Sequence, residues 1–133
     1  MKFDFAIIAH KRQRYPTVGD YFRRRGMWRF RVSQMKDRRY CWLVFLHEMI
    51  EWSICRLTGV RIAETDYFDM KYEAARASGK RRASCGCPIE SEPGNDPHAP
   101  YFDAHQTATQ CERAIALALG VDWDTYERAI EAL

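Results

Sequence analysis

A chain of 133 residues, 47% of them hydrophobic, is long enough for one domain with a packed core and too apolar for a wholly disordered protein. The net charge of +3 combines two unlike parts, because residues 1–40 carry 12 Lys and Arg against 3 Asp and Glu, whereas residues 41–133 carry 9 against 15. No apolar run approaches the ~18 residues of a membrane helix, and an odd number of cysteines fits reduced thiols in a cytoplasmic protein better than a disulfide framework.

The basic N-terminal part, residues 1–36, predicts a small β unit. Residues 3–9 form a short apolar run, and residues 28–33 alternate aromatic or branched side chains with arginine, which is typical of a half-buried strand. Turn residues such as Arg25-Gly26 lie between the two runs. Because two or three strands are marginal alone in water, they must pack against helices. We therefore expect an α+β domain with a small antiparallel β unit at the N-terminus.

Three to four packed helices are expected in the remaining part of this single domain, residues 37–133, from hydrophobic periodicity and capping residues. The predicted helices are about 40–58, about 63–65 to 77, about 101–119, and Asp122 or Asp124 to the C-terminus. A Pro-rich loop, residues 79–100, separates the second helix from the third. Loops of this length in compact domains are often functional or mobile. Within it, Cys85 and Cys87 are candidates for half of a zinc site.

The first predicted helix is apolar almost all the way round, so most of its circumference must be covered by protein. At ~100° per residue, His47, Glu48 and Glu51 fall within an arc of about 100° on this helix. Buried carboxylates need partners, and a divalent cation supplies the required charge compactly. We therefore predict a divalent-metal site here. The alternative is ordinary salt bridges to nearby arginines: Arg38, Arg39, Arg61 or Arg113.

The other helices offer further ligands for the predicted metal. Asp66 and Asp69 are three residues apart, with Glu73 on the same face of the second helix, and antiparallel neighbouring helices can bring such acids to the first. The third helix places three polar side chains on one face: His105, Thr109 and Glu112. Of these, His105 is the candidate ligand. Carboxylates with imidazoles suit Mn²⁺, Fe²⁺ or Zn²⁺, whereas an all-carboxylate set suits Mg²⁺.

Four of these acids form a motif of their own. Glu48 and Glu51 are followed, after fourteen residues, by Asp66 and Asp69. This arrangement resembles the ExxE…ExxD signature of the all-α, MazG-like nucleoside triphosphate pyrophosphohydrolases. The resemblance implies that the four acids hold Mg²⁺ ions that bind the triphosphate and activate water. The departures from that family are Asp66, where the family has Glu, and the N-terminal β segment.

A second resemblance depends on the segment from Leu46 to Glu51. Following an alternating strand, it is similar to the HExxH motif of zinc metallopeptidases, with Glu51 in place of the second His. The resemblance implies that His47 and Glu51 bind zinc and that Glu48 is the general base. His105 or Asp69 would then complete the ligand set.

Basic clusters favour a phosphate-containing substrate. The candidate phosphate-binding residues are Arg23, Arg24, Arg25, Lys80, Arg81 and Arg82. We expect loop 79–100 to act as a mobile cover that carries the second cluster to the phosphates. The working prediction is metal-dependent hydrolysis of a nucleotide or another phosphate-containing small molecule, with Mg²⁺, Mn²⁺ or Zn²⁺ as cofactor. The zinc hydrolase with an HExxE motif is the first alternative.

The second alternative is a non-enzymatic protein that binds nucleotides or nucleic acid. In that case the basic residues would grip phosphates, and interleaved aromatic residues would stack on bases: Tyr15, Tyr21, Phe22, Trp28 and Phe30. In such a binding protein the acidic cluster would be structural. The composition favours the core over base stacking for these same aromatic residues. A homo-oligomer is also predicted, since so apolar a first helix needs more cover than a short chain supplies.

Overall fold

The computed structural model describes residues 1–83, 86, 88, 89 and 92–133. Four helices pack against a small three-stranded sheet at the N-terminus, which confirms the predicted α+β class. The strands are β1 (Phe3–Ile8), β2 (Gly19–Arg24) and β3 (Met27–Ser33), and the helices are α1 (Arg38–Thr58), α2 (Ile62–Ala77), α3 (Phe102–Ala118) and α4 (Trp123–Glu131). Within the part of the chain that the structure describes, no helix has the length and apolarity needed to cross a membrane.

The sheet is mixed, not wholly antiparallel as predicted. β3 lies at its centre and pairs antiparallel with β2 across a two-residue turn, in which Arg25 and Gly26 both have positive φ. On the other edge of β3, β1 runs parallel, with Phe3 opposite Trp28. The predicted strands, β1 and β3, do pair, but an unpredicted strand, β2, lies between them in the chain. Because the chain reverses direction between β2 and β3, β3 runs in the same direction as β1.

The sequence does not predict β2, and the structure gives the reason. Tyr21 is buried against the ring of Phe30. Phe22 lies on the opposite face of the sheet, where its ring centroid is 4.3 Å from the guanidinium carbon of Arg14. Because both faces of the strand carry an aromatic residue, the alternation between apolar and polar positions is lost.

Helix α1 is the central element of the fold, between the sheet and α3. On the sheet side, the rings of Phe45 and Trp52 pack edge-on against Phe30. The helix begins at the N-cap Asp37, whose carboxylate accepts a hydrogen bond from a backbone N–H, and ends at Gly59 with positive φ. Protein on both sides explains why the helix is apolar nearly all round, as predicted.

The loop between α2 and α3 carries one short regular segment among its described residues, a 3₁₀ turn at Pro93–Asn95. This turn contacts both α2 and α3. The predicted zinc half-site at Cys85 and Cys87 lies outside the described residues and stays a prediction.

Candidate metal centre

Three buried side chains converge between α1 and α3. His47 and Glu51 are one turn apart on α1, and His105 comes from the first turn of α3. Nε2 of His47 lies 3.1 Å from Nδ1 of His105, and Oε2 of Glu51 lies 2.9 Å from that Nδ1 and 3.4 Å from that Nε2. Around a tetrahedral ion with bonds of ~2.0 Å, ligand atoms lie about 3.3 Å apart. The group could therefore hold a metal ion.

Each of these three residues is also held from behind by a group on another element. Nδ1 of His47 lies 2.9 Å from Oε2 of Glu112 on α3, and the hydroxyl of Tyr21 on β2 donates to Oε1 of Glu51 at 3.0 Å. Nε2 of His105 faces the carboxylate of Glu92 at 3.5 Å. The atoms that do not face the common centre are thus engaged elsewhere, which fixes the orientation of the three side chains.

The local backbone leaves room for the His105 ring. Gly94, in the 3₁₀ turn at Pro93–Asn95, lies so close that a Cβ on it would be 2.4 Å from Cγ of His105 and 2.5 Å from its Nδ1. Only a residue without a side chain permits this approach. The loop between α2 and α3 therefore helps to position one of the three residues.

Electrostatics at this centre couple the ionisation of His47 and Glu51. Burial alone would lower the pKa of His47, but hydrogen bonds to Glu112 and Glu51 raise that pKa well above its ordinary value. Burial likewise acts to raise the pKa of Glu51, and hydrogen bonds from His105 and His47 overcome it and lower the pKa to about 2. The carboxylates of Glu51 and Glu112 therefore stabilise a positive charge between them, and the protonated imidazole of His47 supplies that charge when no metal is bound.

A cavity of about 600 Å³ opens onto the three residues. Glu48 also lines it, and its carboxylate makes no hydrogen bond or ion pair with any residue that the structure describes. Burial, together with the charge of Glu51, raises the pKa of Glu48 well above its ordinary value. Gly19 packs directly against it, since a Cβ there would lie 2.3 Å from Oε1 of Glu48. A carboxyl group without a partner among the described residues thus lies beside the three converging side chains.

The two acids predicted from α2 line the same cavity but have other partners. Asp69 is buried and accepts hydrogen bonds from the hydroxyls of Tyr15, at 3.0 Å, and Tyr101. Burial raises the pKa of Asp69 to about 7, although the Tyr101 hydroxyl opposes the rise. Asp66 pairs with Arg14 at 3.0 Å. The structure does not bring these acids into the group formed by the two histidines and Glu51.

The arginines considered as alternative partners for the acids of α1 are mostly engaged elsewhere. Arg39 pairs with Asp37, Arg61 with Glu64 and Arg113 with Glu127. Glu51 instead faces imidazoles. The partners of Glu51 are therefore the two histidines and not the predicted arginines.

The basic clusters lie apart from the cavity. All six predicted phosphate-binding residues are exposed, and none is among the described residues that line the cavity. Of the aromatic residues considered for base stacking, Tyr21, Trp28 and Phe30 are 6%, 5% and 1% exposed. These three rings belong to the core and are closed to a nucleobase.

The sequence does not predict the contacts that several residues make around the centre and with the neighbouring Asp69. Glu112 was recognised as sharing a helix face with His105, but its contact with His47 requires knowledge of how α1 and α3 pack. The remaining contacts are hydroxyl groups from four segments: Tyr15, Tyr21, Tyr101 and Tyr126. Tyrosine is common in cores, so nothing in the sequence alone singles these out.

Comparison with protein-family models, with curated proteins and with solved structures gives no match for this chain. The site combines two imidazoles, a buried carboxylate, an uncommitted carboxyl group and a cavity. A group of this composition could hold a metal ion.

Proposed function

We propose that the protein is a divalent-metal-dependent hydrolase, with His47, Glu51 and His105 as the metal ligands. The observation that carries the proposal is the triangle of ligand atoms, 2.9–3.4 Å on each side, buried at the base of a cavity. Three protein ligands leave a further coordination position for water or substrate. A divalent ion held there would lower the pKa of water and polarise the bond to be cleaved.

The donor set favours zinc. Imidazole nitrogens suit zinc and iron, whereas Mg²⁺ prefers oxygen ligands in an octahedral arrangement. Two histidines with one glutamate also form the ligand set of zinc hydrolases that carry the HExxH motif. Here the second helical position is Glu51, and His105 on α3 supplies the other imidazole. The ligand types are thus the same, with two positions exchanged.

Glu48 is the proposed general base. It follows a ligand directly in sequence, lines the same cavity, and is not committed to another described residue. A carboxyl group with a raised pKa is better matched to accepting a proton near neutral pH than an ordinary glutamate. Its role would be to take a proton from the attacking water and pass it to the leaving group.

The cavity supports a neutral or cationic substrate more than a nucleotide. Ten Asp and Glu residues line it, and Arg76 is the one lysine or arginine among the described lining residues. Arg76 itself lies 3.7 Å from Glu73. An anionic phosphate chain would enter against this charge unless further metal ions neutralised it. We therefore place an uncharged or cationic ester or amide ahead of the predicted nucleotide.

Elemental analysis of the purified protein, followed by a substrate screen, tests the proposal. We expect near-stoichiometric zinc, or tight zinc uptake, and turnover of neutral or cationic esters and amides but not of nucleoside triphosphates. Glu48→Gln should retain the metal and lose at least about 100-fold in turnover, the usual contribution of a general base.

The matched control is Glu64→Gln, because Glu64 undergoes the same chemical change outside the cavity, where it pairs with Arg61. It should turn over substrate like the wild type. Absence of metal uptake would refute the proposed function. Full activity of Glu48→Gln would remove Glu48 from the mechanism, and turnover of nucleotides alone would refute the substrate class.

A further inference from the structure

A buried chain of contacts leads from the metal-binding group to the C-terminal helix. Nδ1 of His47 lies 2.9 Å from Oε2 of Glu112, and the hydroxyl of Tyr126 on α4 donates to Oε1 of the same carboxylate. All three side chains are buried. Neither Glu112 nor Tyr126 belongs to the group of potential metal ligands.

The contact between His47 and Glu112 determines which ring nitrogen can bind a metal. In neutral imidazole one nitrogen carries the proton and the other has a free lone pair. A carboxylate at Nδ1 keeps a proton on that nitrogen, so the proton that a metal displaces is the one on Nε2, whose lone pair then faces Glu51 and His105. Carboxylates in this position behind metal-binding histidines fix both the tautomer and the ring orientation, and they increase the basicity of the ligand.

Tyr126 in turn restrains Glu112. Its hydroxyl occupies the second carboxylate oxygen, so both oxygens of Glu112 are engaged and the group is not free to turn toward the metal position. Tyr126 is itself packed between two rings, with centroids 5.1 Å from Tyr40 and 5.3 Å from Trp123. Tyr126 lies near the N-terminus of α4, which begins at the N-cap Asp122.

We propose that Glu112, held by Tyr126, is a positioning residue that orients His47 for metal binding, so that helix α4 is part of the metal centre. This inference depends on the proposed metal site. It differs from a purely structural role, in which the buried contact would stabilise the fold without affecting the properties of a bound ion.

Cobalt binding separates the two roles, because the visible spectrum of Co²⁺ reports the geometry of its ligands. Titration of the full chain, with a competing chelator, should give an affinity about 100-fold weaker for Glu112→Gln and about tenfold weaker for Tyr126→Phe, the range found for groups behind metal ligands. Both variants should shift the cobalt absorption bands. Tyr40→Phe is the matched control, since its hydroxyl makes no hydrogen bond with a described residue, and it should bind like the wild type.

Circular dichroism checks that the variants are folded. If Glu112→Gln does not fold, Tyr126→Phe, which removes a single oxygen, distinguishes a positioning role from a structural one. Nitrogen-15 NMR of the zinc-loaded protein adds an independent readout, since the His47 Nδ1–H signal should shift in both variants. Wild-type affinity and an unchanged spectrum in both variants would overturn the inference while leaving the metal site intact. If the wild type binds no Co²⁺, the metal site itself is refuted, and this inference fails with it.

Discussion

Nε2 of His47 and Nδ1 of His105 face each other at 3.1 Å, although they belong to helices far apart in sequence. Two imidazole nitrogens at this distance require something positive between them, either a shared proton or a metal ion. Glu51 faces both nitrogens and provides the compensating negative charge. In the metal-free protein the proton on His47 satisfies the arrangement, so a metal must displace that proton to bind.

The first prediction concerns Glu51. Glu51→Gln should weaken zinc binding by about 100-fold or more, because it removes the one anionic ligand of the group. Differential scanning fluorimetry should show the same loss. At a zinc concentration of ~100 Kd, binding stabilises the wild type by about 2.7 kcal/mol, which raises Tm by roughly 10 °C. The variant should show almost none of this increase at the same zinc concentration.

Glu64→Gln again serves as the control and should keep the full increase in Tm. Circular dichroism of both proteins without metal should give equal helix content. If zinc raised the Tm of Glu51→Gln as much as it raises the Tm of the wild type, Glu51 would not be a ligand.

The sequence predicted the helices better than the sheet. Asp37 and Gly59 delimit α1 because a cap and a left-handed residue act locally, and local signals can be read from sequence. The pairing of β1 with β3 depends on how distant segments meet, and no local pattern specifies it. The predicted direction of β1 relative to β3 is therefore wrong, whereas the predicted fold class is confirmed.

The candidate site was predictable for the part that lies on a single helix. Three ionisable side chains on a helix that is otherwise apolar form a conflict visible in the sequence, and this conflict led to His47, Glu48 and Glu51. Contacts between helices were accessible only as possibilities. Thus His105 was named among several candidates, whereas Asp69, equally plausible from spacing, has two tyrosine hydroxyls as its partners.

A second prediction concerns the close approach of Gly94 to His105. In Gly94→Ala the new methyl group would meet the imidazole at about the position of its ligand atom. Since the ring or the 3₁₀ turn must move, zinc affinity should fall by about 10- to 100-fold, as it does for other changes that displace a ligand. Isothermal titration calorimetry measures the loss directly.

Gly26→Ala distinguishes this effect from a general cost of replacing glycine. A Cβ at Gly26 meets open space, but its φ of 76° makes alanine unfavourable by about 1 kcal/mol. The control should therefore lose stability and keep its zinc affinity. Equal zinc affinity in Gly94→Ala and the wild type would show that the turn does not position His105.

A third prediction follows from the raised pKa of Asp69. Because its pKa is about 7 in the folded protein and 3.8 as a reference, the folded state binds this proton more tightly than the unfolded chain does. The resulting stabilisation is fully present below about pH 4 and is lost as the pH rises through about 7. Across this range it amounts to about 4 kcal/mol at most.

Urea unfolding of the metal-free protein at pH 5 and pH 8 measures this dependence. The wild type should be less stable at pH 8, and Asp69→Asn should show a smaller difference between the two values. Absolute stability of the variant should also be lower, because an amide has one oxygen for the hydroxyls of Tyr15 and Tyr101. An equal pH dependence in both proteins would show that Asp69 ionises normally.

The last prediction separates the basic hairpin from the catalytic proposal. Arg23, Arg24 and Arg25 are exposed and do not line the cavity, so replacing all three by glutamate should leave zinc affinity and turnover within about twofold of the wild type.

Any binding of single-stranded DNA should be purely electrostatic, because the rings of Tyr21, Trp28 and Phe30 are buried. Fluorescence anisotropy should therefore show weak binding at 50 mM salt that is lost by 200 mM and absent in the triple variant. Tight binding that resists salt, with no turnover of any substrate, would instead favour a nucleic-acid-binding protein and make the acidic cavity structural.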